Sequence, residues 1–490
     1  MNTVGRNLIW LLISQVATWT MSLVVVLVVP HYLGAEGFGQ FAFALSYVGF
    51  FQLAGGLGTA VFMTREIARD HTLLQTLVVN GVVLKLLAAS VLSALAIGLA
   101  LLLNFDGLVV TLIVIACAGM YFTLWNEVFS SALNGLQRMG KMSAWATITV
   151  YVSSLAGIFV LAKGGSVVTY TVVIISAGTI TVIANTILVL PLMRWRPRPR
   201  LDAGVWRSLI VGGVPLMLLA VFNQIYSTLD VPLLAGLTST TVVGWYVLAY
   251  RWAAIPVFIA NAVMGSHLPE MSRLGKEPGR EFADLVNRAV KLTLLASTPA
   301  AVGLAVVAPQ LIELFYEPEF DGAIRPLQIL AAQIPITGMD TILATALIAS
   351  DRLRKYLFVA AGAAIFNPLL CAALIVVTDR VWDNGAIGAA IATALTEVAV
   401  MTCAIWLSAA GVMDRSTVSW TLRCTLASLA ILPVALIAGG SVITFVTQVG
   451  LGVVLFAVAA VVRRVFPLGT IGTVLAQAAS MVEARRSRSA

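Results

Sequence analysis

Seven ionisable side chains in or beside the apolar stretches of this chain could do chemistry, because a charge is expensive there. Lys85, Arg251, Asp340 and Glu397 are near the middles of such stretches. Asp230 is closer to one end, and Arg65 and Glu127 are near the ends of theirs. A charge at the centre of a membrane helix costs about 2.5–3.5 kcal/mol on insertion scales, so it faces protein or water rather than lipid. Cations in such a place match phosphate oxygens. A carboxylate that changes protonation there suits coupling to a proton or Na⁺ gradient. Each residue also has a plainer reading. Asp230 and Arg251, on consecutive antiparallel helices, form either a structural ion pair or part of a site. Lys85 has a stem long enough to reach the interface, and Arg65 and Glu127 are placed to snorkel. Asp340 and Glu397 are too short to snorkel from mid-depth. That leaves them lining a wet cavity or bonding between helices.

The elements that hold these residues are membrane helices. The chain has 490 residues, 60% of them hydrophobic and 11% charged. Apolar runs of 18 or more residues recur along its length, each able to cross about 30 Å of hydrocarbon. They lack strand-like alternation, so they satisfy their backbone groups as helices, and the fold is all-α. Fourteen spans are expected, near 8–30, 40–62, 77–102, 107–130, 143–162, 167–192, 208–236, 242–265, 292–312, 324–349, 356–378, 384–409, 420–438 and 441–462.

The second half of the chain echoes the first. Ala132, Leu133, Arg138 and Lys141 recur as Ala346, Leu347, Arg352 and Lys355, at an offset of 214. Gly39, Phe41 and Ala44 recur as Gly244, Tyr246 and Ala249, and Glu66 and Arg69 as Glu270 and Arg273, at 204 to 205. In this register Asp340 falls on Asn126, so the polar position repeats and the charge does not. The expected organisation is two pseudo-symmetric six-helix bundles, 1–192 and 207–410. A basic linker (193–206) joins them, and two further spans (411–466) and a tail (467–490) follow. Two related bundles in one bilayer are the architecture of a transporter that rocks one bundle against the other.

With the N-terminus inside, twenty-five Lys and Arg lie in cytoplasmic segments against three outside (Lys163, Arg325, Arg380). The positive-inside bias therefore sets both termini in the cytoplasm. The Arg-rich linker sits beside two spans, which points to anionic headgroups and not to nucleic acid. Cys117, Cys371, Cys403 and Cys424 lack metal-ligand spacing and read as small apolar residues. His31, His71 and His267 are scattered near helix ends. The outer loop with Glu317, Glu319 and Asp321 reads as a solvated loop before a metal site. Between His267 and Lys291, Phe282, Leu285, Val286, Ala289 and Val290 share a helical face. That is either a surface-lying amphipathic helix or an extension of the ninth span. Short loops leave no room for a soluble catalytic domain, which makes a membrane glycosyltransferase or glycan ligase the least favoured alternative.

The stretches PHYLGAEGFGQFAFALSYVGFFQLAGGLGTAVFMTREIAR, PLMLLAVFNQIYSTLDVPLLAGLTSTTVVGWYVLAYRW and GAIGAAIATALTE resemble the bacterial polysaccharide-biosynthesis membrane proteins, the oligosaccharide (Wzx-type) flippases. The resemblance lies in diffuse glycine, aromatic and charged positions and covers nearly the whole chain. It implies inversion of an undecaprenyl-diphosphate-linked glycan across the bacterial cytoplasmic membrane by alternating access, without a bound cofactor and coupled to H⁺ or Na⁺. It also implies a monomer working beside a glycan polymerase or glycosyltransferases. In that frame Arg251, Lys85 and Arg65 meet the diphosphate. Asp340, Glu397, Asp230 and Glu127 line the cavity or couple ions. Two relatives of the same superfamily offer alternatives, a lipid II flippase and a multidrug antiporter. A cation antiporter wants an anionic, aromatic site, against which Lys85 and Arg251 count.

Overall fold

The structure is a computed structural model that describes residues 3–193, 201–437 and 439–465. Most of the basic linker, including Arg194, Arg196, Arg198 and Arg200, lies outside the described residues, as does the tail from 466. Every regular element among the described residues is helical. In chain order these are α1 (Thr3–Gly56), α2 (Thr59–Arg69), α3 (Leu74–Leu102), α4 (Gly107–Gly135), α5 (Met139–Ala162), α6 (Val167–Val189), α7 (Ala203–Thr228) and α8 (Asp230–Leu237). There follow α9 (Thr240–Leu274), α10 (Arg280–Phe315), α11 (Ile324–Ala349), α12 (Leu353–Trp382), α13 (Gly385–Leu407), α14 (Arg415–Ser428) and α15 (Val442–Val462).

Twelve helices among the described residues are long and apolar enough to cross a membrane. The chain is a multi-pass membrane protein. Fourteen spans were expected, and the difference falls at two places. The first two expected spans are run together in α1, whose backbone leaves helical geometry at Gly34 (φ 68°, ψ 172°). The expected seventh span is divided into α7 and α8 by a break at Leu229, and its described apolar part is the shorter Ala203–Val214.

The chain packs as two compact units. The first comprises Met1–Arg251, Tyr316–Ala323 and Ala360–Ala392. In it α1 packs on α3, α4, α5, α7 and α8, while α6 packs on α4 and α5. Its core includes Met63, Ile67, Val128, Ala132 and Leu209. The second comprises Trp252–Phe315, Ile324–Val359 and Thr393–Ala490, with α10 packed on α11, α14 and α15. The segment from Arg280 proves to be the first turns of α10, one helix of 36 residues, so the extension reading holds. Its apolar face is not laid on lipid. Phe282, Val286, Ala289 and Val290 are buried with Met271, Leu343 and Leu347.

The sequence echo has a local structural counterpart. At the end of α4, Gln137 takes a left-handed conformation (φ 56°) and the Arg138 N–H bonds the Leu133 carbonyl at 2.8 Å. At the end of α11, Asp351 does the same (φ 58°) and the Arg352 N–H bonds the Leu347 carbonyl at 2.9 Å. Both are left-handed C-caps that turn the chain sharply, built on residues that are not glycine. Glu66–Arg69 and Glu270–Arg273 recur as i,i+3 ion pairs of 3.5 and 3.8 Å.

Within the first unit, α1 and α9 cross at the glycines the echo pairs. A Cβ on Gly39 would collide with the Thr240 carbonyl, and one on Gly244 with the Ala35 carbonyl. Ala35 and Thr240 stand one turn before their glycines, so the contact is reciprocal. Only hydrogen at both positions lets the backbones approach so closely.

Candidate functional site

Lys85 sits mid-way along α3 and is 0% exposed. Its Nζ donates to Glu127 Oε2 on α4 at 2.7 Å and to the Gly56 carbonyl at the end of α1 at 2.9 Å. A buried ammonium needs a partner, and Glu127 supplies the charge while Gly56 offers a helix-end carbonyl that the Thr59 hydroxyl also bonds at 3.1 Å. The structure thus joins Lys85 and Glu127, which the sequence reading held apart in two roles. Arg65 is elsewhere, on the exposed face of α2. Its Nε bonds Glu66 Oε1 at 3.1 Å and its guanidinium lies 5.4 Å from the Phe62 ring centroid.

Arg251 lies on α9 and is partly exposed. Its guanidinium carbon stands 5.0 Å from the centroid of the Phe38 ring on α1, a cation–π distance. Tyr170 and Tyr316 stand within electrostatic reach of it. Among the described residues, no carboxylate lies within 4 Å of Arg251 and no acceptor takes a hydrogen bond from it. The ion pair with Asp230 is not formed. Asp230, 3% exposed at the first turn of α8, instead accepts a hydrogen bond from the Tyr246 hydroxyl.

In the second unit Glu397 of α13 is 6% exposed and accepts from Thr337 Oγ1 of α11 at 2.9 Å. Asp340 is 9% exposed and lies one turn beyond Thr337 on the same helix, near Tyr356. Its Oδ1 is buried with no hydrogen-bond partner among the described residues. The two carboxylates are therefore carried by one helix pair. In the first unit, α4 and α6 are linked by Asn185 Nδ2 donating to Asn126 Oδ1 at 2.8 Å. Each unit thus has a polar link between two of its helices, between amides in the first and through a carboxylate in the second.

Composition and spacing gave no hint of the work done by the loop at 317–322. Glu319 Oε1 accepts the Ala35 N–H at 2.8 Å, capping the helix that restarts after the Gly34 break. Trp245 Nε1 donates to the Glu319 carbonyl at 2.6 Å, and Asn384 Nδ2 to the Gly322 carbonyl at 2.9 Å. Glu317 stands 3.4 Å from His31. Glu317, Glu319 and Asp321 are exposed, as the reading of a solvated loop expects, and the loop also binds its own unit together. The available signal was Gly34 between two apolar runs, since a restarted helix needs an acceptor for its first N–H groups.

Residues 4–275 match the model of the family described as polysaccharide biosynthesis protein, more than half of the chain. The chain belongs to that family. A curated relative is the probable low-salt glycan biosynthesis flippase Agl15 of Haloferax volcanii, 26% identical over 172 residues. The match spans 35% of either chain, about a third of that relative. Among solved structures, the family member resembles the lipid II flippase MurJ in an inward closed conformation, at a TM-score of 0.76 and 15% identity. That likeness covers 93% of this chain and 98% of the other. A multidrug resistance transporter of the MATE family, in an inward-facing conformation, gives a TM-score of 0.65 at 16% identity, covering 79% and 93%. At these identities the likeness is one of fold.

Proposed function

We propose that this protein is a flippase that carries an undecaprenyl-diphosphate-linked oligosaccharide from the inner to the outer leaflet of the bacterial cytoplasmic membrane. Membership of the polysaccharide biosynthesis family supports the glycan substrate class. The observation that carries the site is Arg251. Among the described residues its five N–H donors, in a span, meet no carboxylate and no acceptor, and its face is held by Phe38. Such a guanidinium is open to an anion, and its fork matches phosphate oxygens in pairs. A cation antiporter is disfavoured by a free positive charge at that place.

In this reading Arg251 is the diphosphate contact. Lys85 contributes through its pair with Glu127, by fixing α1, α3 and α4. Arg65 meets substrate at the membrane face before it enters. Asp340, Glu397 and Asp230 are the carboxylates through which an H⁺ or Na⁺ gradient acts. Both termini lie in the cytoplasm, and the polymerase or glycosyltransferases of the same glycan work beside a monomeric transporter.

The test is export of the lipid-linked glycan in cells and in vesicles. Arg251→Ala abolishes export while protein level and insertion persist. Arg251→Lys restores part of it, because a point charge lacks the bidentate fork. Full export by Arg251→Ala would overturn the assignment.

A further inference from the structure

α14 has two faces of opposite character. Thr417, Cys424, Ala427 and Ser428 are buried on one side, where Cys424 Sγ approaches the Leu294 carbonyl of α10 at 3.8 Å. The other side carries Arg415, Ser419 and Arg423, with Val418, Leu422 and Leu426 exposed between and beyond them. These residues line an open groove of about 380 Å³.

The helix belongs to the apolar segment Arg415–Leu436, long enough to span a membrane. Arg423 stands two turns inside it, about 12 Å from Arg415 along the axis. An arginine at that depth must reach the interface or meet an anion. Its Nε donates to the Ser419 carbonyl at 3.3 Å, so the side chain runs back along the helix toward Arg415. This brings the Arg423 guanidinium to the level of Ser419, one helical turn from Arg415, and both arginines line the groove. Among the described residues neither arginine has a carboxylate within 4 Å. Asp414, the nearest in sequence, spends its Oδ1 on the Thr417 N–H at 2.8 Å. Lys291 of α10 stands within electrostatic reach of Asp414 and adds positive charge at this end. Trp420 Nε1 donates to the Val465 carbonyl at 3.3 Å, which brings the end of α15 with Arg463 and Arg464 to the same level.

We propose that this groove is a binding site for an anionic phospholipid of the surrounding membrane. The phosphate lies between Arg415 and Arg423 with Ser419 donating to it, and an acyl chain follows Val418, Leu422 and Leu426. Charge complementarity decides the occupant. A cationic notch opening along an apolar helix face fits a phosphate attached to a hydrocarbon chain, and basic clusters at the membrane face select anionic lipid. The site is separate from Arg251 and does not depend on the transport reading.

The experiment uses the full chain reconstituted in phosphatidylcholine vesicles that contain a photoactivatable phosphatidylglycerol. Crosslinked peptides are mapped by mass spectrometry. Labelling is expected on the segment 413–426. Arg415→Gln with Arg423→Gln lowers it by roughly thirtyfold, taking about 1 kcal/mol for each basic residue at a membrane surface. Arg380→Gln leaves it unchanged. Arg415→Lys with Arg423→Lys keeps most of it, and so separates lost charge from lost fold if the neutral variant is not recovered. Equal labelling by a phosphatidylcholine analogue would overturn the proposal, as would unchanged labelling in the neutral variant. Displacement by inorganic phosphate would mean a free-anion site, and crosslinks between α14 helices of two copies would mean a protein interface. Either result defeats the assignment to lipid.

Discussion

Lys85 and Glu127, 42 residues apart in the chain, form an ion pair of 2.7 Å whose lysine end is closed off from solvent. Two residues that sequence reasoning sorted by charge into separate roles are one structural unit. The pair also holds the Gly56 carbonyl, so three helices meet at one ammonium.

Breaking that pair from one side leaves a buried, uncompensated charge. Glu127→Ala is expected to destabilise the protein by about 3–5 kcal/mol. Glu127→Ala combined with Lys85→Met is expected to cost distinctly less. Thermal unfolding of the two single variants and the double, in detergent, checks this. Additive losses would show that the two side chains do not act together.

Gly39 and Gly244 are expected to respond alike. Ala at either position drives a methyl into a backbone carbonyl, and forced overpacking costs about 1–3 kcal/mol. Gly49 is the control, because nothing lies within 4 Å of a Cβ placed there. Gly49→Ala should be neutral or stabilising by up to about 1 kcal/mol, since alanine is the better helix former. Melting temperatures of the three variants, measured side by side, decide the matter.

Asp340→Asn removes a buried carboxylate whose Oδ1 has no hydrogen-bond partner among the described residues. Glu397→Gln keeps an acceptor for Thr337 and loses the charge. If these carboxylates couple transport to an ion gradient, both variants bind glycan substrate normally. Their transport then no longer responds to imposed proton or Na⁺ gradients in vesicles. A parent protein indifferent to both gradients would remove the coupling role from either residue.

Asp414 caps α14 from outside the membrane-spanning segment. The hydrogen bonds from Thr417, aided by nearby Lys291, hold its carboxyl below the usual carboxylate range. A depressed folded-state value means that the cap is fully present above the unfolded-state value, near pH 4, and is lost as pH falls through the folded one. Hydrogen exchange at the Thr417 amide should stay protected from neutrality down to about pH 5 and open well below it. Asp414→Asn should hold the cap at every pH, and Asp414→Ala at none.

What the sequence made legible was whatever depends on local pattern. Apolar runs marked the helices, and the paired motifs at Arg138 and Arg352 foretold two matching helix ends. The match of Gly39 with Gly244 foretold equivalent positions, though not that they would touch. Contacts made by side chains far apart in the chain were not legible. No spacing rule links Lys85 to Glu127, Tyr246 to Asp230, or Thr337 to Glu397. The Asp230–Arg251 pair, suggested by neighbouring helices, fails because the Tyr246 hydroxyl takes up the carboxylate and Arg251 turns to Phe38. The amphipathic segment before Lys291 shows the remaining ambiguity. An apolar stripe has the same period whether it meets lipid or a protein core, and here the core formed with Met271 and Leu347 takes it.

The bond between Glu319 and the Ala35 N–H also has a meaning in time. The two residues are 284 positions apart. A ribosome adding about 5–20 residues each second delivers the carboxylate roughly 15–60 s after the amide it caps. Throughout that interval the helix that restarts after Gly34 lacks this acceptor for its first N–H, and a backbone donor left unsatisfied away from water is costly. A nascent chain arrested before Glu319 lacks the residue that completes its first turn across the membrane. The turn made earliest in synthesis thus waits until about two-thirds of the 490-residue chain has been made.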